Sequence, residues 1–132
     1  MIVIDASVLA NVVSDDSPVG DAARNRLAVA VHVAAPDLVD VETVAVLRKR
    51  WIAGTMPDRR FKSAVEDLVA LPIIRYPTGP LLLRAYKLRA NITPYDATYV
   101  ALAEGLSCTL LTADKRLARS PNITCQVDIF TA

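Results

Sequence analysis

Short apolar runs rich in β-branched residues alternate along this chain with longer segments of helical periodicity. The strand-like runs cover residues 2–5, 33–35, 73–76, 107–112 and 123–129. Strands that alternate with helices are joined by crossover connections, and such connections make neighbouring strands parallel. The sequence therefore predicts an α/β fold, with a parallel sheet of four to five strands and helices on both of its faces.

The segments between these runs predict seven helices. They cover residues 6–14, 20–31, 38–52, 57–71, 80–90, 93–105 and 114–119. Pro57 and Pro94 stand in predicted first turns, where proline is favoured because the first helical N–H groups have no partner. Gly54 and Gly105 follow helical segments and are typical of helix ends.

Length and composition limit the kind of protein that this chain can be. The chain has 132 residues, of which 53% are hydrophobic and 22% charged, so a single domain over residues 1–132 is expected and intrinsic disorder is excluded. The longest uncharged apolar stretch, residues 28–35, is far below the roughly 20 residues that span a bilayer. No basic segment precedes an apolar run at the start. We therefore expect a cytoplasmic protein with no membrane partner.

Histidine and cysteine offer little chemistry here. His32 is the single histidine and stands apart from the acidic motifs, which disfavours histidine-based acid–base catalysis. Cys108 and Cys125 have neither C-x-x-C spacing nor a histidine companion, which disfavours a zinc site. Both are expected to be buried, reduced thiols.

Three aspartates stand where a helix begins. Asp5 and Asp114 each follow a predicted strand, at the sheet edge where the sites of parallel α/β proteins lie. Asp96 is the third residue of a predicted helix whose start, Thr93-Pro94-Tyr95-Asp96, resembles a capping box. A purely structural role as a helix cap is open for each of them.

Glu42 lies within the predicted helix 38–52. The apolar residues of this helix occupy an arc of roughly 160° on a helical wheel, and Glu42 projects from the middle of that arc. The arc consists of Leu38, Val39, Val41, Ala45, Val46 and Ile52. A glutamate facing a core is costly unless it pairs with a base or binds a cation. A buried salt bridge and a metal ligand are therefore the two interpretations.

Asp5, Glu42, Asp96 and Asp114, taken together, indicate a site for a divalent cation. Four carboxylates in one crevice repel one another, and a divalent cation removes that conflict. Ligands that are all oxygen favour Mg²⁺, with Mn²⁺ as a substitute. Such a site can activate water to attack a phosphodiester. Asp5, Glu42, Asp96 and Asp114 are thus the predicted catalytic and metal-binding residues.

The charge balance agrees with a nucleic-acid substrate. The net charge is +1, but outside the four acids fifteen bases face only ten acids, an excess of +5. Lys115, Arg116 and Arg119 follow Asp114 directly and are candidates to hold the backbone phosphates of a nucleic acid, although the default for such a cluster is a solvated helix face. Tyr95 and Tyr99 are candidates to stack on bases.

Four segments carry a resemblance to a known family. They are residues 1–9 (MIVIDASVL), Val41-Glu42, residues 93–97 (TPYDA) and residues 111–114 (LTAD). In this order and spacing they resemble the PIN-domain ribonucleases of the VapC type, which are the toxins of VapBC toxin–antitoxin pairs. The resemblance covers essentially the whole chain.

The resemblance implies a three-layer α/β/α fold and a Mg²⁺-dependent endoribonuclease that cleaves RNA with metal-activated water. It assigns metal binding to the same four acids and adds Ser7 and Thr112 as supporting hydroxyls. It also implies a homodimer and a VapB-type antitoxin whose tail lies across the active-site groove. Many relatives have a further acid shortly after the last one. Lys115 and Arg116 occupy that stretch here, which weakens the expectation of a second metal site.

Two alternatives remain open at this stage. The first is a catalytically inactive PIN scaffold that binds RNA or protein. The second is a receiver-like phosphoacceptor module, for which Asp58 is the nearest candidate acceptor. Pro57-Asp58-Arg59-Arg60, however, has the pattern of a helix start, and the first strand ends in one acid where that module needs two.

Overall fold

Five short parallel strands form one sheet in the computed structural model, which describes residues 1–132. The strands are β1 (Ile2–Ile4), β2 (Val33–Pro36), β3 (Ile74–Tyr76), β4 (Thr109–Thr112) and β5 (Val127–Ile129). Their order across the sheet is β3-β2-β1-β4-β5, and every neighbouring pair is parallel. The predicted α/β fold with a parallel sheet is confirmed.

Seven helices cover the sheet. They are α1 (Ala6–Ser14), α2 (Pro18–Ala28), α3 (Val39–Ile52), α4 (Asp58–Ala70), α5 (Leu82–Lys87), α6 (Pro94–Gly105) and α7 (Lys115–Arg119). Helix α1 packs against α2, α3 and α4, whereas α5 packs against α6, which lies on β1, β2 and β4. The arrangement has three layers, α/β/α. None of the helices has both the length and the apolar character that crossing a membrane requires.

The two central strands are buried on both faces. Val3 and Ile4 of β1 and Leu110 and Leu111 of β4 have at most 1% of their surface exposed. A parallel sheet covered by helices on both faces needs continuous apolar runs of this kind. These residues belong to a core of 28 buried apolar side chains.

The chain reverses its direction across the sheet at β1. From β1 it moves outward to β2 and β3, and it then returns to place β4 on the other side of β1. The register pairs Ile4 with Leu111, and the backbone N–H of Asp5 donates to the carbonyl of Leu111 at 3.2 Å. The carboxyl ends of β1 and β4 therefore meet at a topological switch point, where open α/β sheets form their binding crevices.

Several element boundaries differ from the prediction for identifiable reasons. Strand β4 begins at Thr109 rather than at residue 107, because Ser107 has a φ of 52° that extended backbone does not allow. Helix α2 begins at Pro18, because Ser17 caps it by accepting from the N–H of Val19. The segment 80–90 divides into a 3₁₀ turn, Gly79–Leu81, and the short α5. Strand β5 is only its last three residues, 127–129.

The segment before β5 is instead a loop fastened to α6. Glu104 accepts hydrogen bonds from the N–H and hydroxyl of Thr124, both at 2.8 Å, and from the guanidinium of Arg84 at 2.7 and 3.0 Å. Burial by itself raises the pKa of Glu104, but these bonds outweigh it and lower the pKa to about 2. A charge-assisted network thus replaces the expected strand pairing.

The face that α3 buries was predicted wrongly. Val39, Thr43 and Leu47 are the buried residues of this helix, whereas Val41 is 75% exposed and Ile52 59% exposed. The helix is therefore turned by about 100°, one residue, from the predicted orientation. Val39, Thr43 and Leu47, spaced i, i+4, form a narrow stripe that is buried where the helix packs against α1 and α4. Glu42 consequently lies at the edge of the buried stripe and not at its centre.

The cysteines and the histidine lie away from the switch point. Cys108 and Cys125 are free thiols, but both are partly exposed, so the prediction of full burial was wrong. Each stands just before a strand, where the protein covers it incompletely. His32 is exposed at the amino end of β2, and its carbonyl accepts from the N–H of Ile2 at 3.0 Å. It therefore lies at the opposite edge of the sheet from Asp5.

Candidate active site

Asp5 is the most enclosed acid at the switch point, with only 6% of its surface exposed. Its Oδ1 accepts from the Ser7 hydroxyl at 2.6 Å and from the N–H of Val8 at 3.3 Å, so it caps α1 as well. Its Oδ2 accepts from the Thr112 hydroxyl. Three donors, two from the first turn of α1 and one from the end of β4, thus hold this carboxylate in one orientation.

Ser7 and Thr112 also connect the two strand ends. The Ser7 oxygen accepts from the N–H of Ala113 at 3.1 Å, and the Thr112 oxygen accepts from the N–H of Asp114 at 3.0 Å. Each hydroxyl therefore donates to Asp5 and accepts from the loop that leads into α7. The structure places both hydroxyls beside the site, where the family resemblance expects them.

Asp96 and Asp114 stand at helix starts, as the sequence predicts. The Thr93 hydroxyl oxygen accepts from the N–H of Asp96 at 3.2 Å, which is half of the expected capping box. Asp114 caps α7, because its Oδ1 accepts from the N–H of Arg116 at 2.9 Å. A cap uses only part of the hydrogen-bonding capacity of a carboxylate, so it does not conflict with a role in the site.

Glu42 reaches the same region from α3 and bonds to one side chain. The hydroxyl of Tyr99, on α6, donates to its Oε1 at 2.6 Å. No arginine or lysine forms an ion pair with Glu42. The interpretation of Glu42 as half of a buried salt bridge is therefore wrong.

The charges of the four acids act on one another. Burial raises the pKa of Asp5, of Glu42 and of Asp96 above the ordinary values of these groups. Neighbouring carboxylates add to the rise: Asp96 acts on Asp5 and on Glu42, Asp5 acts on Glu42, and Asp114 acts on Asp96. The fold therefore brings the four acids into one electrostatic group, which we call the acidic site.

Asp114 is the exception within the acidic site. The guanidinium of Arg116 donates to its Oδ2 at 2.9 Å and to its Oδ1 at 3.1 Å. These hydrogen bonds lower the pKa of Asp114. None of the other three acids has an ion-pair partner.

The acidic site suits a divalent cation by its donors and by its charge. Its oxygens belong to carboxylates, which Mg²⁺ and Mn²⁺ prefer, and no histidine or thiol competes with them. Three acids with raised pKa values and no paired base would be relieved by such a charge. No three acidic, histidine or cysteine side chains, however, lie close enough as positioned to hold one ion. The residues therefore fit the metal in chemistry and charge, but their present positions do not form a complete coordination site.

Some of the basic and aromatic residues predicted to contact nucleic acid are exposed and unpaired, and others are not. Lys115 and Arg119 are exposed on α7, whereas the guanidinium of Arg116 is paired with Asp114. Tyr95 is 61% exposed and free to stack on a base. Tyr99 is only 2% exposed, so its prediction as a stacking residue was wrong. Its ring packs in the core because it lies on the inner face of α6.

Sequence reasoning missed the contacts that Tyr99 and Arg116 make inside the acidic site. Tyr99 stands three residues after Asp96, which places both on one side of a helix, and this spacing was the available signal. Arg116 stands two residues after the capping acid Asp114. Nothing in the sequence indicates that it turns back onto that acid.

A small cleft lies beside the acidic site, between α7 and the loop that precedes α6. Asp96, Asp114 and Arg116 line one part of it, and Asn91 and Ser120 line another. Its volume is about 130 Å³. Asp96 and Asp114 of the acidic site are therefore accessible to a ligand from this direction.

Comparison with known proteins identifies the family. The PIN domain model matches residues 2–122. The chain is 37% identical over 130 residues to Ribonuclease VapC12 of Mycobacterium tuberculosis (strain ATCC 25618 / H37Rv), covering 98% of both proteins. It is 39% identical over 132 residues to Ribonuclease VapC9 of the same strain, again covering 98% of both.

Solved structures show the same fold at low sequence identity. VapBC2 from Rickettsia felis, crystallised with a promoter DNA fragment, superposes with a TM-score of 0.69 at 17% identity over 99% of this chain and 100% of that one. VapC20 from Mycobacterium tuberculosis, a Sarcin-Ricin loop cleaving toxin, superposes with a TM-score of 0.66 at 17% identity over 83% of this chain and 87% of that one. With the match over residues 2–122 and these full-length relatives, the chain belongs to the PIN domain family and, within it, to the VapC-type ribonucleases.

Proposed function

We propose that this protein is a Mg²⁺-dependent endoribonuclease, with Mn²⁺ as a substitute ion, and the toxin of a toxin–antitoxin pair. The observation that carries the proposal is the acidic site: four carboxylates at a topological switch point, three of them with raised pKa values and no paired base. The names of relatives that are 37–39% identical support cleavage of RNA.

In this proposal Asp5 and Asp96 hold the ion directly, and Glu42 and Asp114 complete its surroundings directly or through water. A bound Mg²⁺ supplies positive charge for water and for the oxygens of the scissile phosphate. Ser7 and Thr112 keep Asp5 oriented through their hydrogen bonds. The products expected from attack by water carry a 5′-phosphate and a 3′-hydroxyl.

The bases at the start of α7 have a separate role in this proposal. Lys115 and Arg119 are exposed and lie a few residues beyond Asp114, so they are suited to hold backbone phosphates of RNA beside the acidic site. Arg116 is bonded to both oxygens of Asp114 through Nε and Nη2, and this leaves its exposed Nη1 group free to contact a phosphate as well.

Addition of Mn²⁺ is expected to raise the melting temperature of the metal-free protein by several degrees. An ion that binds only the folded state stabilises it by about 2.7 kcal/mol at 100 times its Kd. Thermal melts in EDTA and in millimolar Mn²⁺ measure this shift, and Asp58→Asn, which changes an exposed acid of α4, is the matched control. A melting temperature indifferent to Mn²⁺, together with cleavage that resists EDTA, would exclude metal catalysis.

A catalytically inactive PIN scaffold remains the second candidate, and nuclease assays with and without Mg²⁺ separate it from the enzyme. The receiver-like module is excluded. Its flavodoxin-like sheet has the strand order 2-1-3-4-5, whereas this sheet has the order 3-2-1-4-5. Asp58 is also the first residue of α4 and does not end a strand.

We further propose a VapB-type antitoxin and a homodimer as the partners of this chain in the cytoplasm, where its RNA substrate lies. VapBC complexes among the structural neighbours support the antitoxin. Leu83 and Tyr86 of α5 are 82% and 62% exposed, and exposed apolar side chains of this kind support an interface. Sedimentation of the purified chain is expected to give twice the 14.3 kDa of one chain, and a species of 14.3 kDa at micromolar concentration would contradict the dimer.

A further inference from the structure

Tyr99 connects the two helices that carry Asp96 and Glu42. It lies on α6, three residues after Asp96, and only 2% of its surface is exposed. Its hydroxyl donates to Oε1 of Glu42, on α3, at 2.6 Å. The two residues are 57 positions apart in the sequence, so this bond depends on the complete tertiary fold.

The Tyr99 hydroxyl is the only group that donates a hydrogen bond to the carboxylate of Glu42. Asp5, by comparison, has three donors. Glu42 itself is half-buried and lies at one edge of the buried stripe of α3. The orientation of the Glu42 carboxylate therefore depends on this single hydroxyl more than on any other contact.

The chemistry of the donor is suited to a cation site. A tyrosine phenol is neutral at neutral pH, so the Tyr99 hydroxyl that contacts Glu42 is an uncharged donor. A neutral hydroxyl orients a carboxylate without cancelling its charge. An arginine or lysine at the same place would also orient the carboxylate, but it would repel a divalent ion.

We propose that Tyr99 is a positioning residue of the acidic site: it holds one oxygen of Glu42 and leaves the second oxygen and the full negative charge for a divalent cation. The proposal rests on the proposed metal-dependent function. It makes Tyr99 part of the support of the site, in the way that outer partners commonly orient metal ligands.

Tyr99→Phe tests this role because it keeps the ring and removes only the hydroxyl. Titration calorimetry of the purified, metal-free protein with Mn²⁺ is expected to show a loss of about 10-fold in affinity, at the lower end of the 10–100-fold typical of outer partners. Tyr76→Phe is the matched control, since Tyr76 lies on β3, outside the acidic site and the proposed interface, and its hydroxyl makes no hydrogen bond. Thermal melts in EDTA show whether both variants are folded.

A double-mutant cycle separates positioning from general damage. In a Glu42→Gln background, Tyr99→Phe is expected to change Mn²⁺ affinity by less than twofold, because the residue that it positions has already lost its charge. A Tyr99→Phe protein that binds Mn²⁺ like the parent would overturn the proposal. An equal loss of affinity with and without Glu42→Gln would also overturn it.

Asp5→Asn distinguishes failure of this inference from failure of the proposed function. If Asp5→Asn binds Mn²⁺ as tightly as the parent, the acidic site is not the metal site and the proposed function fails. If Asp5→Asn loses Mn²⁺ while Tyr99→Phe keeps it, the function stands and only the role of Tyr99 is refuted.

Discussion

The Asp5→Asn protein is expected to fold normally and to lose RNA cleavage by about 100-fold or more. Outer partners of metal ligands cost 10–100-fold when mutated, and a direct ligand is expected to cost at least as much. The amide carries no charge and is a poor ligand for Mg²⁺. Initial rates of cleavage of a labelled RNA, measured with saturating Mg²⁺, give the comparison.

The fold should tolerate this substitution. Asparagine is as good a helix N-cap as aspartate, so the bond from Val8 can persist. The bond from Ser7 can persist as well, and the new amide can donate to the hydroxyl oxygen of Thr112. Asp58→Asn controls for the chemical change at an exposed acid. An Asp5→Asn protein that cleaves RNA as fast as the parent would show that the site has been assigned wrongly.

The second large effect is expected at Glu42. Glu42→Gln should reduce cleavage by about 10–100-fold and leave the stability of the metal-free protein level or slightly higher. No base pairs with Glu42, so the change leaves no buried charge alone. Breaking a buried ion pair would instead cost about 3–5 kcal/mol. Denaturant melts in EDTA, beside cleavage rates in Mg²⁺, measure the two effects separately.

The stability difference at Glu42 should depend on pH. Burial raises the pKa of Glu42 above 4.5, so the folded state binds its proton more tightly than the unfolded state does. This contribution to stability is complete below pH 4.5 and is lost as the pH rises through the folded-state pKa. Glu42→Gln does not lose this contribution, so its stability relative to the parent should rise as the pH rises through the folded-state pKa of Glu42. Glu66→Gln, which changes an exposed acid of α4, should show no such rise. A large loss of stability with nearly normal cleavage would remove Glu42 from the site.

The sequence predicted those features that depend on local pattern. The alternation of strands and helices determined the parallel sheet, and Asp5, Asp96 and Asp114 were recognisable because each follows a strand or starts a helix. The orientation of α3 could not be predicted in this way. A valine such as Val41 counts as apolar wherever it stands, and only packing against α1 and α4 decides which face of the helix is covered.

The sequence also could not predict which side chains of different elements form hydrogen bonds with one another. The bond from Tyr99 to Glu42 joins α6 to α3 across 57 positions, and the Thr112 hydroxyl reaches Asp5 across 107 positions. Periodicity describes one element at a time. It places an acid on a helix, but it does not say which hydroxyl or guanidinium from another element will meet that acid.

The switch point between β1 and β4 has a consequence for synthesis of the protein. Strand β1 is the first element made, yet the neighbour that completes the proposed site, β4 with Asp114, comes from the last quarter of the chain. The four acids are distributed from position 5 to position 114, so no shorter nascent chain contains all of them. A chain that assembles its acidic site in this order lacks the complete set of carboxylates until Asp114 has been synthesised, so the site forms late in synthesis.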